Sequence, residues 1–162
     1  MGYALYELKR YEDALLTLDT AMDLEPRPET ELLRGQTLSA MGKHREALIS
    51  FEKVLKENRG DVDAWYAKGY ALYHLGHHEQ ELESWQQVLK LDPNNSLALY
   101  NVAYCYARKG EGRVALDFLR RALSEKPEEL RAKAKTDSDF DRIRDDPEFR
   151  KLVYQEDKSS LH

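Results

Sequence analysis

The chain has 162 residues with a single cysteine, a formal charge of -5, 41% hydrophobic and 34% charged residues. That length suits one domain with a buried core, the lone Cys105 excludes an internal disulfide framework and suits a reducing compartment, and the acidic balance argues against general nucleic-acid binding, because no excess of bases exists to displace counterions from phosphates. No apolar run approaches the roughly 20 residues of a membrane span and the start lacks a secretory pattern, so no membrane association is expected and the cytoplasm is the expected location. Aliphatic residues, Ala, Tyr, Glu and Lys dominate, while glycine and proline are sparse and sit at corners, which makes the expected class all-α.

In chain order, the spacing predicts a first helix from Met1 to about Leu8 and a second from Tyr11 to Leu24, the latter with Ala14, Leu15, Leu18 and Ala21 at helical intervals. A third helix, Glu29 to Met41, has Pro28 at a first-turn place and acids in its first turn, which suit the helix dipole. The fourth, His44 to Asn58, is expected to end on Gly60 as a C-terminal cap. A fifth and a sixth helix, turning at Gly76, carry Gly69, Leu72, Leu82, Trp85 and Val88 up to Pro93. A seventh and an eighth lie between Asn95 and Pro127. Beyond Pro127, Asp137 or Ser138 can cap a short helix holding Phe140 and Ile143, and Asp146 with Pro147 can cap another holding Phe149, Leu152 and Val153.

These helices repeat. Gly2, Gly35, Gly69 and Ala103 stand 33, 34 and 34 residues apart, and Ala14, Ala47, Glu81 and Ala115 keep the same steps. So do Leu18, Phe51, Trp85 and Leu119, and Ala21, Val54, Val88 and Ala122. Pro26, Pro93 and Pro127 close three of the four units. This order of small, large and breaker residues resembles the tetratricopeptide repeat, a helix-turn-helix unit of about 34 residues. Neither helix of such a unit is stable alone, so the units must stack. The resemblance implies an all-α, right-handed superhelical solenoid with one concave face on the first helices. On this reading residues 1–28, 28–61, 62–95 and 96–129 are four repeats, the first opening in mid-unit. Residues 130–155 are capping helices like those that follow the last repeat of many bacterial relatives, and residues 156–162 are a frayed tail.

Three departures from the family pattern stand out. Glu31 and Arg34 occupy places where the family has large apolar residues, which implies a slight rotation of that helix. Glu81 sits where the family has alanine, so its carboxylate must be hydrogen-bonded, paired or pushed out along its stem. His44 and His78 fill a slot that usually holds a packed aromatic.

No catalytic constellation is visible, and neither cofactor nor metal is expected. Asp137, Asp139, Asp141, Asp145 and Glu148 follow the spacing of a calcium-binding loop, but Arg142 replaces the turn glycine and Pro147 precedes the last acid. They read better as helix caps. His74, His77 and His78 around one turn lack the third or fourth convergent ligand that zinc needs. Cys105 reads as a small residue in a helix contact.

What remains is the concave face. Counting along each first helix from its small crossing residue, the resemblance places Tyr3 and Tyr6, then Leu32, Gln36 and Ser39, then Tyr66, Tyr70, Tyr73 and His74, and finally Tyr100, Asn101, Tyr104 and Arg108 on it. Tyrosine offers large contact area at low entropic cost, although several of these rings could instead pack between neighbouring helices. Asn101 matches an asparagine with which many peptide-binding members hold the ligand backbone. The set that clamps chaperone C-termini is absent, since its places hold Leu32, Gln36, Ala67 and Leu97. The expected function is a non-enzymatic protein-protein interaction module taking a partner peptide in a tyrosine-rich groove. The alternative is a structural piece of a longer scaffold, or a homo-oligomer formed through the open N-terminal edge near Tyr3 and Leu5.

Overall fold

The structure, a computed structural model, describes residues 1–154; the expected tail, 156–162, and the last residue of the expected cap lie outside them. The described residues form ten α-helices and one short 3-10 helix. They fall into two compact units, Met1–Leu91 and a second beginning at Asp92.

The first unit contains α1 (Gly2–Glu7), α2 (Tyr11–Leu24), α3 (Pro28–Ala40), α4 (His44–Glu57), α5 (Val62–Leu75) and α6 (His78–Leu91). Helices pair in sequence order, first with second, and the pairing is set by the small residues. A Cβ on Gly2 would stand 2.8 Å from Leu18, one on Gly35 2.5 Å from Phe51, and one on Gly69 2.9 Å from Trp85. Each glycine thus meets the large residue sixteen places later, which lets two helix backbones approach and buries Phe51 and Trp85 completely. Leu38, Ala47, Phe51 and Ala71 form one core cluster, and Val54, Leu55 and Ala64 another.

The corners follow the same period. Gly42, Gly76 and Gly110 all have positive φ, the left-handed conformation in which glycine ends a helix without steric cost. Lys9 takes the equivalent place in the first corner at φ 57°, the only residue other than glycine with positive φ among those described. Gly60 is different from expectation. The corner after α4 is built by Asn58, whose side-chain oxygen accepts from the Gly60 N–H at 3.0 Å, so an Asx turn replaces a left-handed glycine cap.

The polar residues in apolar slots are paired. Glu31 is buried with Arg34 at 3.8 Å and Lys53 at 3.7 Å. Arg34 also donates to Asp19 at 2.6 Å and Ser50 at 3.1 Å. Glu81, fully buried, keeps its carboxylate at the crossing with His78 Nδ1 at 3.3 Å and Trp85 Nε1 at 3.5 Å.

The second unit holds α7 (Ser96–Lys109), α8 (Gly112–Glu125), α9 (Pro127–Thr136), the 3-10 helix (Ser138–Ile143) and α10 (Pro147–Tyr154). Ten of the fourteen residues of α7 are buried, because α8 covers one side and the 3-10 helix another. Asp137 caps the 3-10 helix, accepting from the Asp139 N–H at 3.1 Å. Asp146 accepts from the Glu148 N–H at 2.8 Å at the start of α10. Of the five apolar residues expected in the cap, Phe140, Ile143, Phe149 and Val153 are buried and Leu152 is partly buried.

Candidate functional site

Within the first unit, α1, α3 and α5, with α4 behind them, enclose an open hollow of about 720 Å³. Seven of the residues expected on the concave face meet there, Tyr3, Tyr6, Gln36, Ser39, Tyr66, Tyr70 and His74, whereas Leu32 packs against the core clusters. Phe51, Ala67 and Glu7 also line it. The helical register explains the convergence. Tyr66, Tyr70 and His74 recur at i, i+4 and i+8, and Tyr3 and Tyr6 at i and i+3, so each set lies on one face of its helix.

The rings pack against one another. Tyr70 meets His74 edge-on at a centroid distance of 4.5 Å, Tyr66 meets Trp85 at 5.0 Å, and Tyr6 lies tilted on Tyr11 at 5.7 Å. Burial, and then the neighbouring Tyr11 and Glu7, push the Tyr6 phenol above its ordinary range. Tyr70 is 47% exposed and Tyr3 63%, so both present ring surface to solvent. Tyr73 is exposed and does not line the hollow; its ring meets His74 edge-on at 5.2 Å.

His44 was not among the expected groove residues, yet it stands at the hollow's edge. Its ring stacks on His74, 4.4 Å between centroids and 5° from parallel, and its Nδ1 lies 3.2 Å from the Ser39 hydroxyl. Burial, followed by the nearby His74, lowers its pKa, which keeps it neutral at pH 7. His44 begins a second helix, whereas the sequence count followed first helices only.

The remaining four expected groove residues belong to the second unit, where Tyr100 and Arg108 meet the chain's own closing segment. Tyr100 is fully buried, donates its hydroxyl proton to Asp137 at 2.8 Å and has Phe140 edge-on at 5.4 Å and the Lys133 ammonium over its ring at 4.5 Å. Asn101 and Tyr104 are buried. Arg108 reaches Asp139 at 3.4 Å and covers Tyr104 at 5.4 Å. The physical cause is the apolar face of the 3-10 helix, which needs a partner and finds it on α7.

The acids that mimic a calcium loop are each engaged. Asp137 holds Tyr100, Asp139 holds Arg108, Asp141 holds Arg144, Asp145 holds Arg150 and Glu148 pairs with Arg120. Among the described residues no three His, Cys, Asp or Glu side chains converge in a way that could hold a metal ion. Cys105 is buried in α7. None of the helices described is long and apolar enough to cross a membrane.

The pairing of α-helices through a glycine and a large residue at fixed interval defines a class, the helix-turn-helix repeat protein. Tetratricopeptide-repeat family models match residues 32–86 and 84–111, and the chain belongs to the tetratricopeptide-repeat family. No curated protein sequence matches it significantly. Among solved structures it is similar to MamA, with a TM-score of 0.76 at 19% identity over 100% of this chain and 98% of that one. It is similar also to YrrB, described as a TPR protein with an unusual peptide-binding site, with a TM-score of 0.73 at 24% identity over 83% and 70% of the two chains. A third is TTC0263, a thermophilic TPR protein in Thermus thermophilus, with a TM-score of 0.69 at 24% identity over 83% and 76%. At these identities the likeness is one of fold, the all-α tetratricopeptide solenoid.

Proposed function

We propose that this protein is a non-enzymatic interaction module that binds a segment of a partner protein in the tyrosine-lined hollow of α1, α3 and α5. The observation that carries the reading is the convergence of Tyr3, Tyr6, Tyr66 and Tyr70 on one open hollow. Its volume falls within the range of roughly 300–1,000 Å³ typical of ligand sites. Two of its rings are substantially exposed, although a phenol left in water forgoes the burial that tyrosine gains at an interface. Gln36 and Ser39 add polar groups that can take up a peptide backbone. YrrB, similar in fold, bears a peptide-binding site in its description, which agrees with the reading.

Selection from a displayed library of random peptides tests it, run against the natural chain and against a Tyr3→Ala, Tyr70→Ala variant. Both substituted residues are exposed, so the variant should keep its helical circular dichroism. Peptides enriched on the natural chain and lost on the variant are the expected result. Peptides held equally by both would place binding elsewhere and overturn the proposal.

A second reading, self-association through α1 and α2, is favoured by Leu8 at 68% and Leu16 at 71% exposure. Light scattering over a tenfold concentration range distinguishes it: a rising mass supports it, and a constant monomer mass removes it.

A further inference from the structure

We infer that the hollow takes a cationic side chain, a lysine or arginine presented by the partner segment, over the faces of its tyrosine rings and toward Glu7. This rests on the groove reading above and adds the chemistry of the ligand.

The first argument is charge. Glu7 is the one residue with a formal charge lining the hollow, it is exposed, and it forms no ion pair among the described residues. Its proximity is registered by Tyr6, whose phenol it helps to push up. α4 and the corner before it also border the hollow and carry Lys43, Arg45, Lys53 and Lys56, none of which lines it, and α1, α3 and α5 carry two bases, Arg34 and Lys68. Arg34 is drawn to Asp19 at 2.6 Å and Lys68 to Glu52 at 3.1 Å, so neither supplies a cation to the hollow. These three helices carry Glu7, Glu29, Glu31 and Asp63.

The second argument is the lining. Four tyrosine rings with a negative face and positive edge, in a concave site that excludes part of the solvent, attract a cation by the ring quadrupole. His44 is held neutral at pH 7 and does not oppose it.

The third is the distribution of charge along the chain. Residues 1–91 contain sixteen acids and eleven bases, whereas residues 92–162 contain fourteen of each. The whole net charge of -5 therefore belongs to the unit that holds the hollow. A basic segment is drawn to that unit over about a Debye length, 8–10 Å at physiological salt.

Three short acetylated peptides of equal length test the inference, with alanine alternating with lysine, with glutamine or with glutamate. Each is titrated into the protein labelled at its tyrosine rings and followed by nuclear magnetic resonance. The lysine peptide is expected to shift the ring signals of Tyr66 and Tyr70 and to bind tightest. Tyr70→Leu should weaken it about threefold to tenfold through loss of the cation–ring contact, and Glu7→Gln about twofold to fivefold, as for an exposed ion pair. If the glutamine or glutamate peptide shifts the same rings as strongly, the cationic reading is overturned and the groove reading stands. If the lysine peptide shifts none of these rings, or if its affinity is indifferent to both variants, the cationic reading is overturned as well. In that case the displayed-peptide selection decides the groove reading by itself.

Discussion

Gly69 lies flat against the indole of Trp85, so close that a Cβ on residue 69 would stand 2.9 Å from three of its ring carbons. Trp85 is 1% exposed and has no room to retreat. Replacing Gly69 by Ala gains about 1 kcal/mol of helix propensity but forces overpacking that costs about 1–3 kcal/mol. The expected net result is a loss of about 1 kcal/mol, read from urea denaturation. An equal or higher midpoint would mean that the indole can shift.

Glu31 is buried in an apolar slot with only ion contacts of 3.7 and 3.8 Å to hold it, and its Oε1 makes no hydrogen bond. Glu31→Met fills the slot with methylenes, while Arg34 keeps Asp19 and Ser50 and Lys53 stays solvated. Removing a weakly paired buried carboxylate should raise stability by about 1–2 kcal/mol, visible as a higher melting temperature. A lower one would show that the pair with Arg34 contributes more than its burial costs.

Lys9 occupies a left-handed corner that the three equivalent positions give to glycine. The left-handed conformation costs a residue with a Cβ about 1–2 kcal/mol, partly offset by the entropy that glycine loses. Lys9→Gly is therefore expected to stabilise the first unit by about 0.5–1 kcal/mol. Thermal melting checks it, and a decrease would refute the steric account.

Tyr100 gives the cap a pH dependence at the alkaline end. Burial, then the hydrogen bond to Asp137, raise its pKa above the ordinary phenol value of 10.0. A raised pKa in the folded state means that the stability it contributes is complete below about pH 10 and is lost as pH rises beyond it. Tyr100→Phe should cost about 1–2 kcal/mol at neutral pH and flatten the alkaline decline of stability. A variant that declines as steeply as the natural chain would assign that decline to other groups.

His44 acts at the acid end with the opposite sign. Its pKa is lowered from 6.5 by burial and then by His74, so the unfolded chain binds the proton more readily and stability falls as pH drops through the window below 6.5. His44→Phe, with an aromatic in the slot where the family packs one, should flatten stability between neutral and mildly acidic pH. The effect is modest because the ring is partly exposed to screening solvent.

The repeat was legible in the sequence because its physics is local and periodic. A glycine and a large residue sixteen places apart are what two crossing helices need, and the helix ends fell within a residue or so of the predicted ones. Tyr66 and Tyr70 of α5, four residues apart, share one face, whereas Tyr73, expected beside them, does not line the hollow. What the spacing could not show is which surface the chain would cover itself. Tyr70 and Tyr104 hold equivalent register positions, yet Tyr70 is 47% exposed and Tyr104 6%, and on the helix of Tyr104 both Tyr100 and Arg108 are engaged by Asp137 and Asp139 from more than thirty residues downstream. His44 escaped because its approach to His74 joins a second helix to the next first helix, a contact that no single-helix periodicity encodes. Gly60 misled because Asn58, two residues earlier, supplies the turn by its side chain.

The fit of Asp137 on Tyr100 and of Ile143 against Gly112, where an added Cβ would stand 3.1 Å from the Ile143 methyl, has a bearing on how such chains are lengthened or recombined. A further repeat spliced after α8 would inherit a phenol with no carboxylate to receive its proton, so the splice needs phenylalanine at position 100. Conversely, residues 127–154 could be transplanted as a terminator onto an unrelated array, provided that its last pair of helices carries a tyrosine and a glycine at these two places. The grammar of ending is thus written partly in the repeat that is being ended.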